Sequence, residues 1–351
     1  MSHAMTSRFA LALGFATLAA LPAYAQEEAP PASDDAFVCA PTPEPVVSLT
    51  YGSRYKEDSA DRSDLDEDAN AEVEEALGPV DDFIGELAQA ANRAQSGGSD
   101  ATLAADCVVD AVHAWAEADA LSDLGSMNAQ ISSPSRLGGI AMAYFQSKPH
   151  ATALDPARQE VIESWLQERM TATMAYFDTE APPNASRNNL RAWAGLAAAA
   201  VARSTGNEEI ADWAAESVEL VACQADEDGA LPLEMARGPR ALHYQIHAVG
   251  PLVVAAALLA EDGRDLFSSC DGALHRIVAF VPNAFEDPEL VNAKAGEEQT
   301  YFEGDDELRG FELAWAEAYL SRFDDPRLAS FVEGYRPLAN SKFGGNQDLL
   351  W

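Results

Sequence analysis

The sequence predicts an all-α protein, a helical barrel or bundle built as a single domain. Three observations carry that expectation. Ala-rich segments with helical hydrophobic periodicity recur from residue 71 onward. Short clusters of Gly, Pro, Asn and Asp separate them: SGGSD at 96–100, APPNAS at 181–186, RSTGN at 203–207 and AEDGRD at 260–265. Strand signals are scarce, and no sharp repeat suggests a regular solenoid.

Taken in order, residues 5–25 read as a secretory signal peptide within a leader spanning 1–25. Arg8 is the basic region, Phe9 to Leu21 the apolar run, and Ala23-Tyr24-Ala25 the small-x-small cleavage site. The run is too short to cross a bilayer, and no second long apolar run is evident, so no transmembrane helix is expected. Residues 26–45 are an extended, Pro-rich acidic arm. VVSLTY at 46–51 suits a short extended segment, and 51–70 a charged loop placed to act as a lid. The periodic segments then predict helices over 71–92, 101–121, 135–146, 156–178, 187–204, 207–223, 240–261, 264–281 and 306–321. Residues 46–351 form the one domain.

Composition narrows the function. The formal charge is −36, and loss of the leader, with its one Arg and no acid, makes it −37. Such a surface excludes nucleic acid and anionic membrane as partners. It suits a salty medium outside the cytoplasm, periplasmic or secreted. Cys39, Cys107, Cys223 and Cys270 include no CxxC pair, which disfavours zinc; in an exported chain disulfides are the default. No cofactor or metal is implied, and a monomer is expected.

The most informative stretch is 230–252, ALPLEMARGPRALHYQIHAVGPL. Arg240, Tyr244 and His247 are spaced i, i+4, i+7 and share one face of a helix. A cation, a phenol and an imidazole together suit proton transfer beside a bound carboxylate. The alternatives are an ordinary polar stripe, a core-anchored tyrosine and a buried structural histidine. His243 and His247 also have the i, i+4 spacing of a metal pair, but no HExxH pattern or third ligand accompanies them. His113, His150 and His275 read as structural or surface residues.

Five stretches in order resemble alginate lyases of polysaccharide lyase family five. They are CAPTPEPVVSLTYGSRY at 39–55; Asp106-Cys107 leading to WAEADAL at 115–121; Asn188-Asn189-Leu190-Arg191-Ala192-Trp193; Leu231-Pro232 through Arg240-Ala241-Leu242 to Tyr244 and Pro251-Leu252; and Ala314-Trp315-x-Glu317-x-Tyr319 with Gly344-Gly345. The resemblance implies an incomplete α/α toroid, cleavage of poly-mannuronate by β-elimination, and a Cys39–Cys107 disulfide tying the arm to the barrel. Cys223–Cys270 follows by elimination only. Two positions depart: the family's catalytic histidine after the paired asparagines is Leu190 here, and its acid/base tyrosine is His247.

The resemblance also implies roles. A uronate lyase removes the C5 proton beside the carboxylate and expels the oxygen at C4. Asn189 and Arg240 would neutralise that carboxylate. In β-linked mannuronate and glucuronate both groups leave from one side, so one residue or two adjacent ones suffice. His247 is the better base by intrinsic pKa, and a nearby Arg240 would favour the Tyr244 phenolate. His247 as base with Tyr244 as acid is favoured, and the reverse assignment stays open. The anionic polysaccharide would further meet Arg54, Tyr55 and Lys56 of the lid, Trp115 and Trp193 against sugar faces, and Asn188, Arg191, Glu234 and Arg237. Trp115 and Trp193 suit a toroid core equally well, and Arg187 and Arg191 suit an exposed helix face. β-1,4-Glucuronan is the second substrate. A hydrolase, which needs two carboxylic acids across the bond, and a polyuronate-binding protein without turnover are the competing classes.

Overall fold

The computed structural model describes residues 37–59, 62–304 and 306–351. The signal peptide and most of the acidic arm lie outside the described residues. Fourteen helices are assigned among those described: α1 Glu67–Gln95, α2 Ala101–Glu117, α3 Met127–Ser132, α4 Pro134–Ser147, α5 Pro156–Thr179, α6 Asn189–Thr205, α7 Glu208–Ala222, α8 Pro232–Met235, α9 Ala241–Ala260, α10 Ser269–Glu286, α11 Glu289–Ala295, α12 Thr300–Glu303, α13 Trp315–Leu320 and α14 Pro326–Val332. Capping chemistry sets several starts. Asp66 accepts from Ala69 N–H at α1, Asp155 from Ala157 and Arg158 at α5, and Asn207 from Ile210 at α7.

The helices form two concentric layers. α1, α4, α6, α9 and α13 contact one another in succession, and so do α2, α5, α7, α10 and α14; each inner helix also packs on the next outer one. This is the expected toroid. Burial follows the layers: α6 and α9 are apolar almost all round and buried nearly throughout, whereas α1 and α7 keep a polar face. The C-terminal segment, with strands β3 Ala339–Asn340 and β4 Gly345–Asn346, packs on both α1 and α13 and fills the space between them. Gly344 and Gly345 have φ of +92° and +100°, and a Cβ at either would strike Gln146 or Asn92. Only glycine permits that close return.

α9 corrects the expectation of no second long apolar run. Residues 238–260 are long and apolar enough to cross a membrane, yet 89% of that window is buried inside the protein. It is the core helix of the toroid.

Three segments start or stop differently from their periodicity. α2 ends at Glu117, because Leu121 N–H and Asp123 N–H pair instead with Val46 and Val47 carbonyls. That capture forms the parallel pair β1 Ser48–Leu49 with β2 Asp123–Leu124 and leaves Asp119 and Leu121 at φ of +53° and +57°. The extended reading of 46–51 thus finds its partner. At the start of α10, Cys270, Asp271 and Gly272 are left-handed, so regular helix begins after them. The 306–321 segment is shorter than expected: a 3₁₀ turn at Gly310–Leu313, then α13.

Both disulfides are present, Cys39–Cys107 and Cys223–Cys270, with Cα separations of 5.6 and 5.5 Å. The first ties the arm to α2, and Pro43 of the arm accepts a hydrogen bond from Trp115 Nε1 at 3.3 Å. The second joins the ends of α7 and α10.

Candidate active site

The N-terminal half of α9 reaches solvent. His247 is exposed on a helix otherwise buried, His243 keeps 28% of its side chain exposed, and Tyr244 keeps 8%. Tyr244 and His247 meet edge to face with ring centroids 6.4 Å apart. Behind His247 stands Trp193, at 5.2 Å, and behind Trp193 the stacked ring of Phe343. Gly250 lets Phe343 approach, since a Cβ there would lie 2.7 Å from its ring.

Residues 51–59 and 62–66 reach this end of α9. Asp66 N–H bonds to Arg54 O, Lys56 N–H to Asp64 O, and Tyr55 bridges to Leu65. The Tyr55 hydroxyl is hydrogen-bonded to the Tyr244 hydroxyl. Arg237 lies flat over the Tyr244 ring at 3.5 Å and donates to Arg62 O at 2.7 Å. Arg240 lies 5.9 Å from the same ring, and its Nε is buried without a hydrogen-bond partner among the described residues.

The electrostatics separate the two candidate proton carriers. His247 is open to the recess but walled by protein, so water solvates it poorly. Burial, then the neighbouring His243, Lys342, Arg136 and Arg237, hold its pKa well below the ordinary value. It is a neutral base at pH 7. Tyr244 moves the other way. Burial and then Tyr55 raise it well above the usual phenol, outweighing Arg237 and Arg240. This corrects the expectation of a phenolate: Arg240 pulls in the expected direction, but desolvation wins and the hydroxyl keeps its proton.

Asn189 is nearly fully buried, one turn before Trp193 on the same face of α6. Its N–H and Nδ2 donate to the two oxygens of Glu234, at 2.7 and 2.9 Å. Glu234 is wholly buried, and burial pushes its carboxyl up to about 7 against those two bonds and Arg237. Glu234 is therefore a holder of Asn189 rather than a surface for sugar hydroxyls.

Three other residues expected at the substrate are structural. Trp115 is fully buried and stacks on Phe83 at 3.9 Å, so it offers no face to a polymer. Asn188 caps α6 by accepting from Leu190 N–H. Arg191 is buried, neither on an exposed face nor at the recess. It donates to Asp178 at 2.7 Å and Ser217 at 2.8 Å and lies over Trp213 at 3.9 Å. Arg191→Ala should lower stability by about 2–3 kcal/mol, less than a fully buried pair because Asp178 is half exposed. Urea melts check this, and kcat per folded molecule should be unchanged. Trp193 is a wall, with little ring surface exposed. Lys56 is exposed and Arg54 half-buried.

The structure adds residues that periodicity did not flag. Lys342, just before Gly344-Gly345, lies in the field of His247; burial and then Arg136 lower its amine to about 8. Asp81 accepts from Arg136 at 2.6 and 3.0 Å and lies 3.5 Å from Lys342. Only the position of Lys342 beside the paired glycines hinted at it. Among the described residues no group of three or more His, Cys, Asp or Glu is placed to hold a metal ion.

The architecture matches solved structures. A histidine-to-alanine variant of alginate lyase A1-III complexed with tetrasaccharide superposes with a TM-score of 0.74, at 23% identity over 89% of this chain and 85% of that one. The enzyme of that name from Sphingomonas species A1 gives 0.68 at 21% identity. At such identities the likeness speaks for the fold alone. In sequence, a polysaccharide lyase of Stenotrophomonas maltophilia (strain K279a) is 30% identical, covering 91% of this chain and 92% of its own. An alginate lyase of Azotobacter vinelandii (strain DJ / ATCC BAA-1303) is 30% identical, covering 89% and 83%. The protein is thus a polysaccharide lyase on a helical toroid. The sequence model of the alginate lyase family matches residues 48–291, and the chain belongs to that family.

Proposed function

We propose that the protein is an exported lyase that cleaves a β-1,4-linked polyuronate, the mannuronate blocks of alginate, by β-elimination. The observation that carries this reading is the edge-to-face pairing of His247 with Tyr244, with Arg237 over the Tyr244 ring and Arg240 beside it. The carboxylate of the sugar binds Arg240, whose buried Nε has no hydrogen-bond partner among the described residues, and Asn189, which Glu234 holds in place. These groups stabilise the charge that grows on the carboxylate. His247 takes the C5 proton, the C5–H pair becomes the C4=C5 double bond, and the C4–O4 bond breaks. Tyr244 donates its proton to the departing O4, and His247 afterwards returns one proton to Tyr244. Leu190, half-buried against the core, occupies the site of the family's histidine, so the base duty falls to His247.

Two disulfides and the leader-like N-terminus support an oxidising, extracytoplasmic location. The altered residues at 190 and 247 favour β-1,4-glucuronan as the second candidate, since glucuronate differs from mannuronate only at C2. Incubation of the mature protein separately with poly-mannuronate, poly-guluronate and β-1,4-glucuronan tests the proposal. Rising ultraviolet absorbance from the new double bond is expected on mannuronate. New reducing ends without that absorbance would mean hydrolysis, and binding without either product would mean a non-catalytic protein.

A further inference from the structure

Beside the two proposed proton carriers stands a third group that the elimination does not use. His243 lies one turn before His247, its ring nearly parallel at 13° and 6.4 Å away. Two segments converge on it. Tyr301 of α12 donates its hydroxyl to Glu312 Oε1 at 2.6 Å, and Arg309 N–H donates to Glu312 Oε2 at 2.9 Å. Glu312 thus accepts at both oxygens, bonds that favour its carboxylate against the burial that raises its pKa, and the one proton of Tyr301 is committed to it. The Tyr301 oxygen can then only accept, so at 3.5 Å it faces a His243 Nδ1 that carries the proton. Glu312 Oε1 lies 3.9 Å from the same nitrogen. These two acceptors favour the tautomer with the proton on Nδ1, which leaves Nε2 as a lone-pair acceptor. Among the described residues Nε2 has no protein partner. Burial and Arg240 lower the imidazole pKa to about 4, which keeps it neutral through the working range.

We propose that His243 is the residue that determines substrate specificity: its Nε2 accepts a hydrogen bond from the C2 hydroxyl of the uronate whose C5 faces His247, and Tyr301 and Glu312 hold it in register. The inference rests on the elimination reading above. In a pyranose ring C2 lies opposite C5, so a sugar that bridges the two parallel imidazoles, 6.4 Å apart, with C5 toward His247 turns its C2 hydroxyl toward His243. A site built to bond a hydroxyl discriminates strongly against a substrate that places it elsewhere. C2 is also the centre at which mannuronate and glucuronate differ.

The test is the ratio of kcat/KM on poly-mannuronate to that on β-1,4-glucuronan. It is measured for the wild type, His243→Phe, His243→Gln, Tyr301→Phe and Glu312→Gln, with melting temperatures recorded alongside. His243→Phe should shift the ratio at least tenfold toward the disfavoured polymer. Tyr301→Phe and Glu312→Gln should shift it the same way by less, and His243→Gln, whose amide reaches the Nε2 position, should retain most of it. A ratio constant within twofold across the set, including an equal fall on both polymers, overturns the proposal while leaving the lyase reading intact. A wild type that forms no double bond on either polymer overturns both.

Discussion

His247→Ala should lower kcat/KM on the cleaved polymer by about 10³-fold, within the range that general bases contribute, with the melting temperature little changed. The ring is exposed in the recess and touches Trp193 only from one side, so its loss leaves no closed cavity. The pH profile adds a sign. A base whose pKa is lowered in the fold is active above that pKa and is lost only as pH falls through it. Because burial and the surrounding cations hold His247 well below 6.5, the acid limb of kcat/KM should lie below pH 6.5. Lys342 works in the opposite direction. It is charged below about 8 and loses its charge above, so KM for a polyanion should rise beyond pH 8 while kcat holds. An acid limb at or above 6.5, or an undiminished rate in His247→Ala, would take the base role from this residue.

Much of the fold was legible because the toroid is written in local signals. Apolar periodicity located all the long helices, and Asp and Asn caps with Gly breaks located most of their ends. What escaped is non-local. The end of α2 depends on Val46 and Val47 reaching across to residues 121 and 123, and the left-handed entry to α10 sits at a disulfide partner 47 residues distant. The grouping of Arg240, Tyr244 and His247 was readable because one helix face carries all three. The site was misread where residue type has two uses. Trp115 and Arg191 have the chemistry to bind sugar, but the positions of Phe83, Asp178 and Trp213 place both in the core. Glu234, Tyr301 and Glu312 act on other side chains, and such pairings leave no trace in spacing. The phenolate expectation failed for a related reason: Arg240 can be read from sequence, whereas the desolvation that outweighs it belongs to the packed state.

Tyr244→Phe should lower kcat by about 10²–10³-fold while KM changes little, because the hydroxyl is engaged mainly as the C4–O4 bond breaks. The resting protein bonds that hydroxyl to Tyr55, so substrate O4 must take the place of the Tyr55 hydroxyl. Tyr55→Phe should therefore cost less than about tenfold, since a single neutral hydrogen bond that the reaction itself replaces is at stake. The decisive comparison is the double variant. If His247 and Tyr244 are the two ends of one proton transfer, removing either disables the other, and His247→Ala with Tyr244→Phe should be scarcely slower than the worse single variant. Independent losses that multiply would instead mean that the two residues act in separate steps. A Tyr244→Phe variant slower than His247→Ala by tenfold or more would reverse the assignment and make the phenol the base, even though burial holds it protonated at rest.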